Sequence, residues 1–291
     1  MIEILIHIMP SEIDQLEQTL IQLKKSHNYT KNDDFLVEVC LNANLTDWEN
    51  SKLDLKFFEC KLNNFEKLTS SWAKTRFWIS QNNEVLGCTD LHRLSGRKYN
   101  PDAFIWLDVD IVFSDSLLFY MTETYKQLSK SEKYIIITPE TTRIWDNTWD
   151  VITNKKALKE EASKENYFNR DPYATTGLVG EVNVTKINTF KFASGWFTLL
   201  SNKLVKKADI PERMGPYYMD DTFIMSCCIY GQEKGFIASQ YLINHEIIIE
   251  NNKFRFNPYK DYIVTINKKD EYMDIAKNNF SESVHEFLKK L

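Results

Sequence analysis

Two aspartates separated by one residue, Asp108 and Asp110, are the most chemically distinctive feature of the sequence. They directly follow five apolar residues, 103–107, which predict a buried strand that ends where Asp108 begins. On an extended backbone, side chains two residues apart point the same way, so the two carboxylates would lie close together and repel. A divalent cation such as Mn²⁺ or Mg²⁺ removes that repulsion and binds substrate phosphates as well. The alternative is that Asp110 caps the following turn and Asp108 accepts a hydrogen bond from a loop.

A second acidic pair, Asp220 and Asp221, stands at the start of a segment, 219–230, that predicts a helix followed by Gly231 as the residue after its C-cap. Acidic side chains are favoured at a helix N-terminus, so capping explains one of the two carboxylates. The other is a candidate general base that takes a proton from an attacking hydroxyl. His245 stands further on, beside the apolar run 247–249; taken alone, such a histidine is more often structural than a metal ligand.

The elements that would position these residues alternate along the chain. Strands are predicted at 2–9, 35–41, 53–58, 134–138 and 236–249, with a further one in the apolar run 103–107 of the segment 102–113. Helices are predicted at 12–25, 68–80, 84–94, 116–128, 219–230 and at the C-terminus from 280. This order predicts an α/β fold with a mainly parallel sheet covered by helices on both faces. Ligands of such sheets bind beyond the carboxyl ends of the strands, where Asp108 would lie.

Local signals refine two parts of this pattern. Pro10 ends the first strand, Ser11 is the expected N-cap of the next helix, and Asp14 stands in the capping-box position. Residues 140–190, which include Thr175-Thr176-Gly177 and the Lys- and Glu-rich stretch 155–164, are more polar and predict an insertion or mobile loop beside the site.

Composition excludes several classes of protein. The chain has 36 basic and 41 acidic residues, a net charge of −5 and scattered lysines, which argues against nucleic acid as a partner. Its five cysteines lack metal-type spacing and indicate buried free thiols rather than a disulfide framework. A signal sequence and a run of about 18 apolar residues are both missing, so we expect a cytoplasmic protein without a transmembrane segment. The terminal helix is expected to pack on the core, with peripheral contact to a membrane-bound acceptor as the alternative.

The order of these motifs resembles the GT-A type of glycosyltransferase, in particular the inverting enzymes similar to bacterial cell-surface sugar transferases. The resemblance rests on five segments: the first strand with its proline and acidic helix start (4–12), the Asp-x-Asp strand (104–110), the small residues of 193–196, the acidic pair, and the late histidine. It implies one GT-A-like, Rossmann-type domain over residues 1–250, with a donor-binding half at 1–113 and an acceptor half at 114–250. Residues 251–291 would form a C-terminal extension.

The resemblance also implies roles for individual residues. Asp110 would bind the metal that bridges the donor diphosphate, and Asp108 would contact the donor sugar, its ribose, or the metal through water. His245 would complete the metal shell. Asp221, the second residue of the acidic pair with Asp220, would be the general base.

Three further residues are implied on the donor side. Pro10 would close the first strand beside the donor. Arg76 would approach the donor from the helix predicted at 68–80, with an ordinary surface arginine as the equal alternative. Asn42 stands where the family usually has an aspartate that reads the base, which leaves the nucleotide open, with UDP the commonest choice.

The function implied is metal-dependent transfer of a sugar from a nucleotide-diphosphate donor to a hydroxyl acceptor in surface glycan biosynthesis. The second acidic pair favours inversion, although retaining enzymes also carry Asp-x-Asp. One alternative is a haloacid-dehalogenase-like phosphatase with Asp108 as nucleophile and Asp110 as acid, which is disfavoured because that family carries its motif on the first strand. The other is a non-catalytic subunit that binds nucleotide sugars.

Overall fold

The computed structural model describes residues 1–30, 34–42, 53–80, 99–109, 111–143, 165–166, 174–179, 182–187, 197–211, 220–249 and 269–291. The strands are β1 (Ile2–Ile8), β2 (Phe35–Asn42), β3 (Lys74–Ser80), β4 (Ala103–Leu107), β5 (Ile111–Val112), β6 (Ile135–Arg143), β7 (Glu165–Asn166), β8 (Ala174–Val179), β9 (Val182–Ile187), β10 (Phe197–Ser201) and β11 (Ser239–Ile249). The helices are α1 (Ile13–Thr30), α2 (Leu55–Thr69), α3 (Leu117–Leu128), α4 (Asn202–Ala208), α5 (Asp220–Gly231) and α6 (Lys269–Lys289).

The described strands form one 11-stranded sheet in the order β3-β2-β1-β4-β10-β6-β11-β9-β8, with β5 paired to β11 and β7 paired to β6. Strands β1 to β4 are mutually parallel, and β6 is parallel to β11. Strand β10 lies antiparallel between β4 and β6. The predicted α/β fold with a mainly parallel sheet is therefore confirmed, and the antiparallel strands are the part that the sequence did not indicate.

Helices cover both faces of the sheet, as predicted. On the first face, Ile4 and Ile6 of β1 share a buried cluster with residues of α1, α2 and α3 such as Leu16, Phe58 and Leu118. On the second face, side chains of the intervening strand positions share a cluster with α4, α5 and α6; its members include Leu5, Phe104, Trp106, Leu204, Phe223 and Phe287. Strand alternation alone explains this division, because successive side chains point to opposite faces.

The start of α1 differs from the prediction. A 3₁₀ turn, Pro10–Glu12, precedes the helix, and the backbone N–H of Met9 donates to Glu12 Oε2 at 2.8 Å. Glu12 thus fills the capping-box position that was assigned to Asp14, and Met9 replaces Ser11 as the cap. Pro10 explains the shift, since its fixed φ and missing N–H suit the first position of a helical turn.

Two predicted elements are wrong. The strand predicted at 53–58 is the beginning of α2, where Asp54 accepts a hydrogen bond from the N–H of Phe57 at 3.3 Å. The helix predicted at 68–80 contains β3, in which Phe77 and Ile79 pack toward the first face and Trp78 toward the second. In α2 the buried residues recur every three to four positions, and in β3 the partly buried residues alternate between the two faces, so each pattern fits the observed element.

The polar region 140–190 was expected to be an insertion or a mobile loop, and part of it is described. Thr175-Thr176-Gly177 lies within β8, which forms a hairpin with β9, so this part of the expected loop is a strand. The stretch 155–164 and the predicted helix at 84–94 lie outside the described residues.

The end of α5 depends on close packing rather than on a left-handed glycine. Gly231 is the last helical residue with φ −70°, and a Cβ there would lie 2.9 Å from Cβ of Phe236. The left-handed residue is Gly235, with φ 80°. The prediction that Gly231 follows the C-cap is therefore wrong, and Gly231 is needed for its lack of a side chain.

Helix α6 packs on the core, as expected, with Val284 and Phe287 buried. Its Phe280 ring lies 6.5 Å from that of Phe223 in α5. Among the helices that the structure describes, none combines the length and apolar character needed to cross a bilayer. The four described cysteines are free, with Cys60 exposed and the other three buried.

Candidate active site

Asp108 lies at the carboxyl end of β4, where the sequence places it. Strands β1 and β4 pair in parallel up to Ile6 and Leu107, so Asp108 is the first residue beyond the paired region, and its side chain is partly buried. The next residue, Val109, is buried and its carbonyl oxygen accepts a hydrogen bond from Thr19 Oγ1 of α1 at 3.2 Å. Helix α1 therefore fixes the turn that follows Asp108. Asp110 lies outside the described residues.

The chain beyond this turn reaches a distant strand. Strand β5 begins at Ile111 and pairs with β11, which is separated from β4 by β10 and β6. Strand β5 lies on the side of β11 opposite β6, because Ile248 pairs with both Val112 and Thr142, so β5 is four strand spacings from β4. The four residue-to-residue steps from Leu107 to Ile111 span at most roughly 14 Å, whereas four spacings in a flat sheet would require roughly 19 Å. The sheet is therefore not flat here, and the far half of β11 approaches the carboxyl end of β4.

A bulge in β11 stands at the start of this far half. Ile243 pairs with Pro139, and the next paired residue, Glu246, faces Glu140, so Asn244 and His245 have no counterparts in β6. Such an insertion bends a strand and increases its twist. The described backbone of His245 thus lies at the bend, and the pairs with β5, at Ile248 and Ile249, lie beyond it. The side chain of His245 lies outside the description.

The second acidic pair begins α5, as predicted. The helix ends near Phe236, whose ring lies 4.6 Å from that of Tyr134, at the amino end of β6. A helix of 12 residues is roughly 18 Å long, and its buried side chains share a cluster with Phe104 and Trp106 of β4. The first turn, with the backbones of Asp220 and Asp221, therefore lies toward the carboxyl ends of the strands. The side chains of both aspartates lie outside the description.

Two of the predicted donor-side residues belong to the same edge of the sheet. Pro10 follows β1 and Asn42 ends β2, and both strands run parallel to β4. Pro10 is buried in the 3₁₀ turn, and only the backbone of Asn42 is described. Their contact with a donor stays a prediction.

Arg76 does not lie on a helix. It stands in β3 opposite Glu38 of β2, and its Nη1 lies 2.9 Å from Oε1 of that carboxylate. Glu38 is fully buried, and the Trp78 indole N–H also donates to it at 3.0 Å. Arg76 is therefore a partner of a buried carboxylate within the sheet, and neither of the two expectations for it, a helical donor contact or an ordinary surface position, describes that environment.

His7 is a residue near the site that the sequence reasoning missed. It follows Ile6 in β1, so continued parallel pairing places it beside Asp108 on the second face. Its Nε2 is buried, and burial lowers the pKa of the imidazole to about 4, so the ring is neutral at pH 7. The signal in the sequence was a polar residue within an otherwise apolar stretch, 4–8.

The predicted metal ligands are two carboxylates and one imidazole. Carboxylates are oxygen ligands of the kind that Mn²⁺ and Mg²⁺ bind together with phosphate oxygens. Within the described part of the chain, no group of three or more His, Cys, Asp or Glu side chains is placed to hold a metal. Of the proposed ligands, Asp108 is the one whose side chain lies in that part.

A cavity of about 540 Å³ lies at the other edge of the sheet. Its walls include Asp102, Asn202 and Lys206, near the amino end of β4 and the start of α4. None of the residues predicted for the site lines this cavity, so it is separate from the candidate active site.

The chain is similar to a number of solved structures, including one of GalNAc-T7 and two of S. aureus TarS. GalNAc-T7 with UDP, GalNAc and Mn²⁺ matches 85% of this chain and 43% of its own at 10% identity, with a TM-score of 0.49. The 1–349 form of S. aureus TarS matches 87% of this chain and 58% of its own at 12% identity, with a TM-score of 0.45. A second S. aureus TarS structure matches 99% and 42% at 13% identity, with a TM-score of 0.47.

These proteins are glycosyltransferases of the GT-A type. The chain spans about half the length of the structures it matches, from 42% to 58%. No family model and no curated protein sequence matches it.

Proposed function

We propose that the protein is a metal-dependent glycosyltransferase that moves a sugar from a nucleotide-diphosphate donor to an acceptor hydroxyl. The observation that supports this best is the position of Asp108 at the carboxyl end of β4, followed by a turn that leads to β5, the partner of β11. This edge of an α/β sheet is where ligands bind. It also receives the backbone of His245 and the first turn of α5.

In this proposal the cation is held by Asp108, Asp110 and His245. When bound, it would neutralise charge on the diphosphate as the bond to the sugar breaks. Pro10 and Asn42, at the ends of β1 and β2, would lie against the nucleoside. UDP is the first nucleotide to test, because it is the commonest donor in the class that the motifs resemble.

Asp221 would act as the general base. The acceptor oxygen attacks the anomeric carbon, its proton passes to the Asp221 carboxylate, and the nucleoside diphosphate leaves with the bonding electrons of the broken bond. The start of α5 lies on the second face of the sheet, so the base would approach from that side. Attack on the side of the sugar opposite the diphosphate inverts the anomeric centre, which makes inversion the proposed outcome.

We further propose a hydroxyl acceptor that belongs to a surface glycan, with the reaction in the cytoplasm and with peripheral contact to the membrane where the acceptor is lipid-linked. These assignments follow from the resemblance alone. They are tested by which acceptors, soluble or membrane-bound, take up labelled sugar.

The decisive experiment compares Asp110→Ala with the matched variant Asp102→Ala. Asp102 precedes β4 at the opposite end of the same strand, where its carboxylate pairs with the amino terminus at 2.8 Å. Each protein is incubated with Mn²⁺ and a panel of nucleotide sugars, and release of nucleoside diphosphate is measured. We expect Asp110→Ala to lose at least about 100-fold in turnover and Asp102→Ala to remain near the parent protein. Equal turnover that does not depend on the metal in the parent protein, Asp110→Ala and Asp102→Ala would contradict the proposal.

The two alternatives have separate tests. Hydrolysis of an aryl phosphate by the parent protein, abolished in Asp108→Ala, would favour the phosphatase. Calorimetric binding of nucleotide sugars without any turnover would favour the non-catalytic subunit.

A further inference from the structure

The row of side chains that leads to Asp108 crosses the second face of the sheet. In β3, β2 and β1 this row contains Trp78, Cys40 and His7, which are paired in register. One step earlier along the strands, Ile6 pairs with Leu107 of β4. Continuing that register, Asp108 is the next member of the row after His7.

His7 and Asp108 also share a face. In β1, Ile6 and Ile8 belong to the cluster of the first face, whereas Leu5 belongs to that of the second. In β4, Leu107 belongs to the first face and Trp106 to the second. Alternation therefore directs both His7 and Asp108 toward the second face, which is also the face of α5.

The environment of His7 suits a hydrogen-bonding role. Neighbouring strands lie roughly 5 Å apart, so side chains in register on one face are close enough for an imidazole and a carboxylate to meet. The imidazole ring has two nitrogens, and one that carries a hydrogen can donate it to a carboxylate oxygen. On its other side, His7 faces Cys40, a small and buried residue.

We propose that His7 is a positioning residue that orients the Asp108 carboxylate when nucleotide and cation bind. The proposal rests on the function proposed above. Thr19 fixes the backbone of the turn from the first face through its bond to the Val109 carbonyl, and His7 fixes the carboxylate from the second. Ligating carboxylates commonly depend on such hydrogen-bonded neighbours, whose loss weakens metal binding by about 10- to 100-fold.

The test measures binding rather than turnover. Calorimetry gives the affinity for UDP, GDP and dTDP, each with and without Mn²⁺, for the parent protein, His7→Leu, His7→Gln and Cys40→Ala. We expect His7→Leu to weaken the Mn²⁺-dependent binding about tenfold and to leave metal-free binding unchanged. His7→Gln, which keeps an N–H donor, restores most of the loss. Cys40→Ala is the matched control, since it changes the adjacent buried residue of the same row and should bind like the parent protein.

Two further proteins, Asp108→Asn and the double variant Asp108→Asn/His7→Leu, test whether His7 acts through Asp108. In an Asp108→Asn background, His7→Leu should cause no further loss, because both changes remove the same interaction. Additive losses, or a His7→Leu protein that binds like the parent, would overturn the inference. If His7→Leu does not fold, His7→Met carries the same expectation. If the parent protein binds none of the three nucleotides in a Mn²⁺-dependent manner, the proposed function is contradicted, and this inference fails with it.

Discussion

Ile111 and Ile249 are antiparallel partners, although the strand that precedes Ile111, β4, lies three positions away from β11 in the sheet. Their pairing ties the chain that leaves β4 to the strand that carries His245. The bulge at residues 244 and 245 lies between this pair and the straight part of β11. One local pairing thus explains how two segments distant in sequence converge at one edge of the sheet.

We predict that Ile111→Ala weakens this connection. Ile111 is 5% exposed, and its truncation should lower the free energy of unfolding by about 2–4 kcal/mol. It should also weaken Mn²⁺-dependent nucleotide binding several-fold, because the residue before it is the proposed metal ligand Asp110. The matched control is Ile137→Ala, a fully buried isoleucine of β6 in the same cluster. Chemical denaturation measures the stability of both variants, and calorimetry measures their nucleotide binding. Equal loss of binding in Ile111→Ala and Ile137→Ala would contradict the prediction.

A second prediction concerns Thr19, which bonds the carbonyl of Val109 from α1. Thr19→Val keeps the shape of the side chain but leaves a buried carbonyl without its donor, which should cost about 1–2 kcal/mol. Binding of the nucleotide with Mn²⁺ should weaken, because the turn after Asp108 loses its anchor. Thr122→Val is the control, since that buried threonine bonds Phe119 within its own helix at 3.0 Å. Similar binding in both variants would show that the anchor has no role in the site.

The sequence predicted the elements whose apolar pattern is local and unambiguous. The run at 103–107, interrupted by Asp108, identified β4 and the edge at which a ligand would bind. It did not identify β3, because Trp72, Arg76 and Ile79 also fit a helical spacing. The segment is a strand because its residues pair with β2, in which Glu38 faces Arg76 and Cys40 faces Trp78.

The positions of the candidate site residues in the fold were predictable to the same extent, and their roles stay predictions. Asp108, Asp220 and Asp221 stand at the ends of regular elements, which a sequence reveals. His7 and Thr19 were missed because their relation to the turn after β4 depends on strand register and on helix packing. Neither is encoded by neighbours in the chain, so only the three-dimensional arrangement brings them to the site.

A third prediction concerns the ion pair between Arg76 and Glu38. Arg76→Met should destabilise the protein by about 3 kcal/mol, because it removes the positive charge that lies beside a fully buried carboxylate. Adding Glu38→Gln should recover part of this loss, since the buried charge is then gone. A double-mutant cycle by urea denaturation measures the coupling. Strictly additive changes would mean that the two side chains do not depend on each other.

The fourth prediction is a pH dependence that involves Glu132 and Tyr241. Burial raises the pKa of Glu132, but hydrogen bonds from Ser239 and Tyr241 and the charge of Lys186 outweigh it, so the net pKa lies below its ordinary value of 4.5. As the pH falls, the Glu132 carboxylate is protonated in the unfolded chain at a higher pH than in the folded protein. The network therefore stabilises the protein fully at pH values above 4.5. The contribution is lost as the pH falls through the lowered pKa.

Tyr241→Phe removes one of these hydrogen bonds. The difference in unfolding free energy between the parent protein and this variant should therefore be largest near neutral pH and shrink in acid. Tyr125→Phe serves as the control, because its hydroxyl donates to the backbone carbonyl of Asp102 at 2.6 Å. Burial and then the Asp102 charge raise the pKa of Tyr125 to about 12, so its effect should be constant across the acid range. Parallel pH profiles for the two variants would contradict the prediction.

The fifth prediction tests the packing at the end of α5. Gly231→Ala would place a methyl group 2.9 Å from Cβ and Cδ1 of Phe236 and 3.3 Å from Cδ1 of Leu291. Phe236 has little room to move, since it is 3% exposed and its ring packs 4.6 Å from Tyr134 and 5.2 Å from Phe287. We expect a loss of about 1–3 kcal/mol from this overpacking, measured by urea denaturation.

Gly235 provides the comparison, because a Cβ there meets nothing within 4 Å but its φ is +80°. Gly235→Ala should cost about 1 kcal/mol through backbone strain alone. Gly235→Asn should recover part of that cost, since asparagine tolerates the left-handed conformation. Gly231→Asn, by contrast, should be no more stable than Gly231→Ala, because glycine is needed there to avoid contact with Phe236 and not to adopt a left-handed backbone angle. If Gly231→Asn is more stable than Gly231→Ala, the backbone conformation of residue 231 would be the reason that glycine is needed.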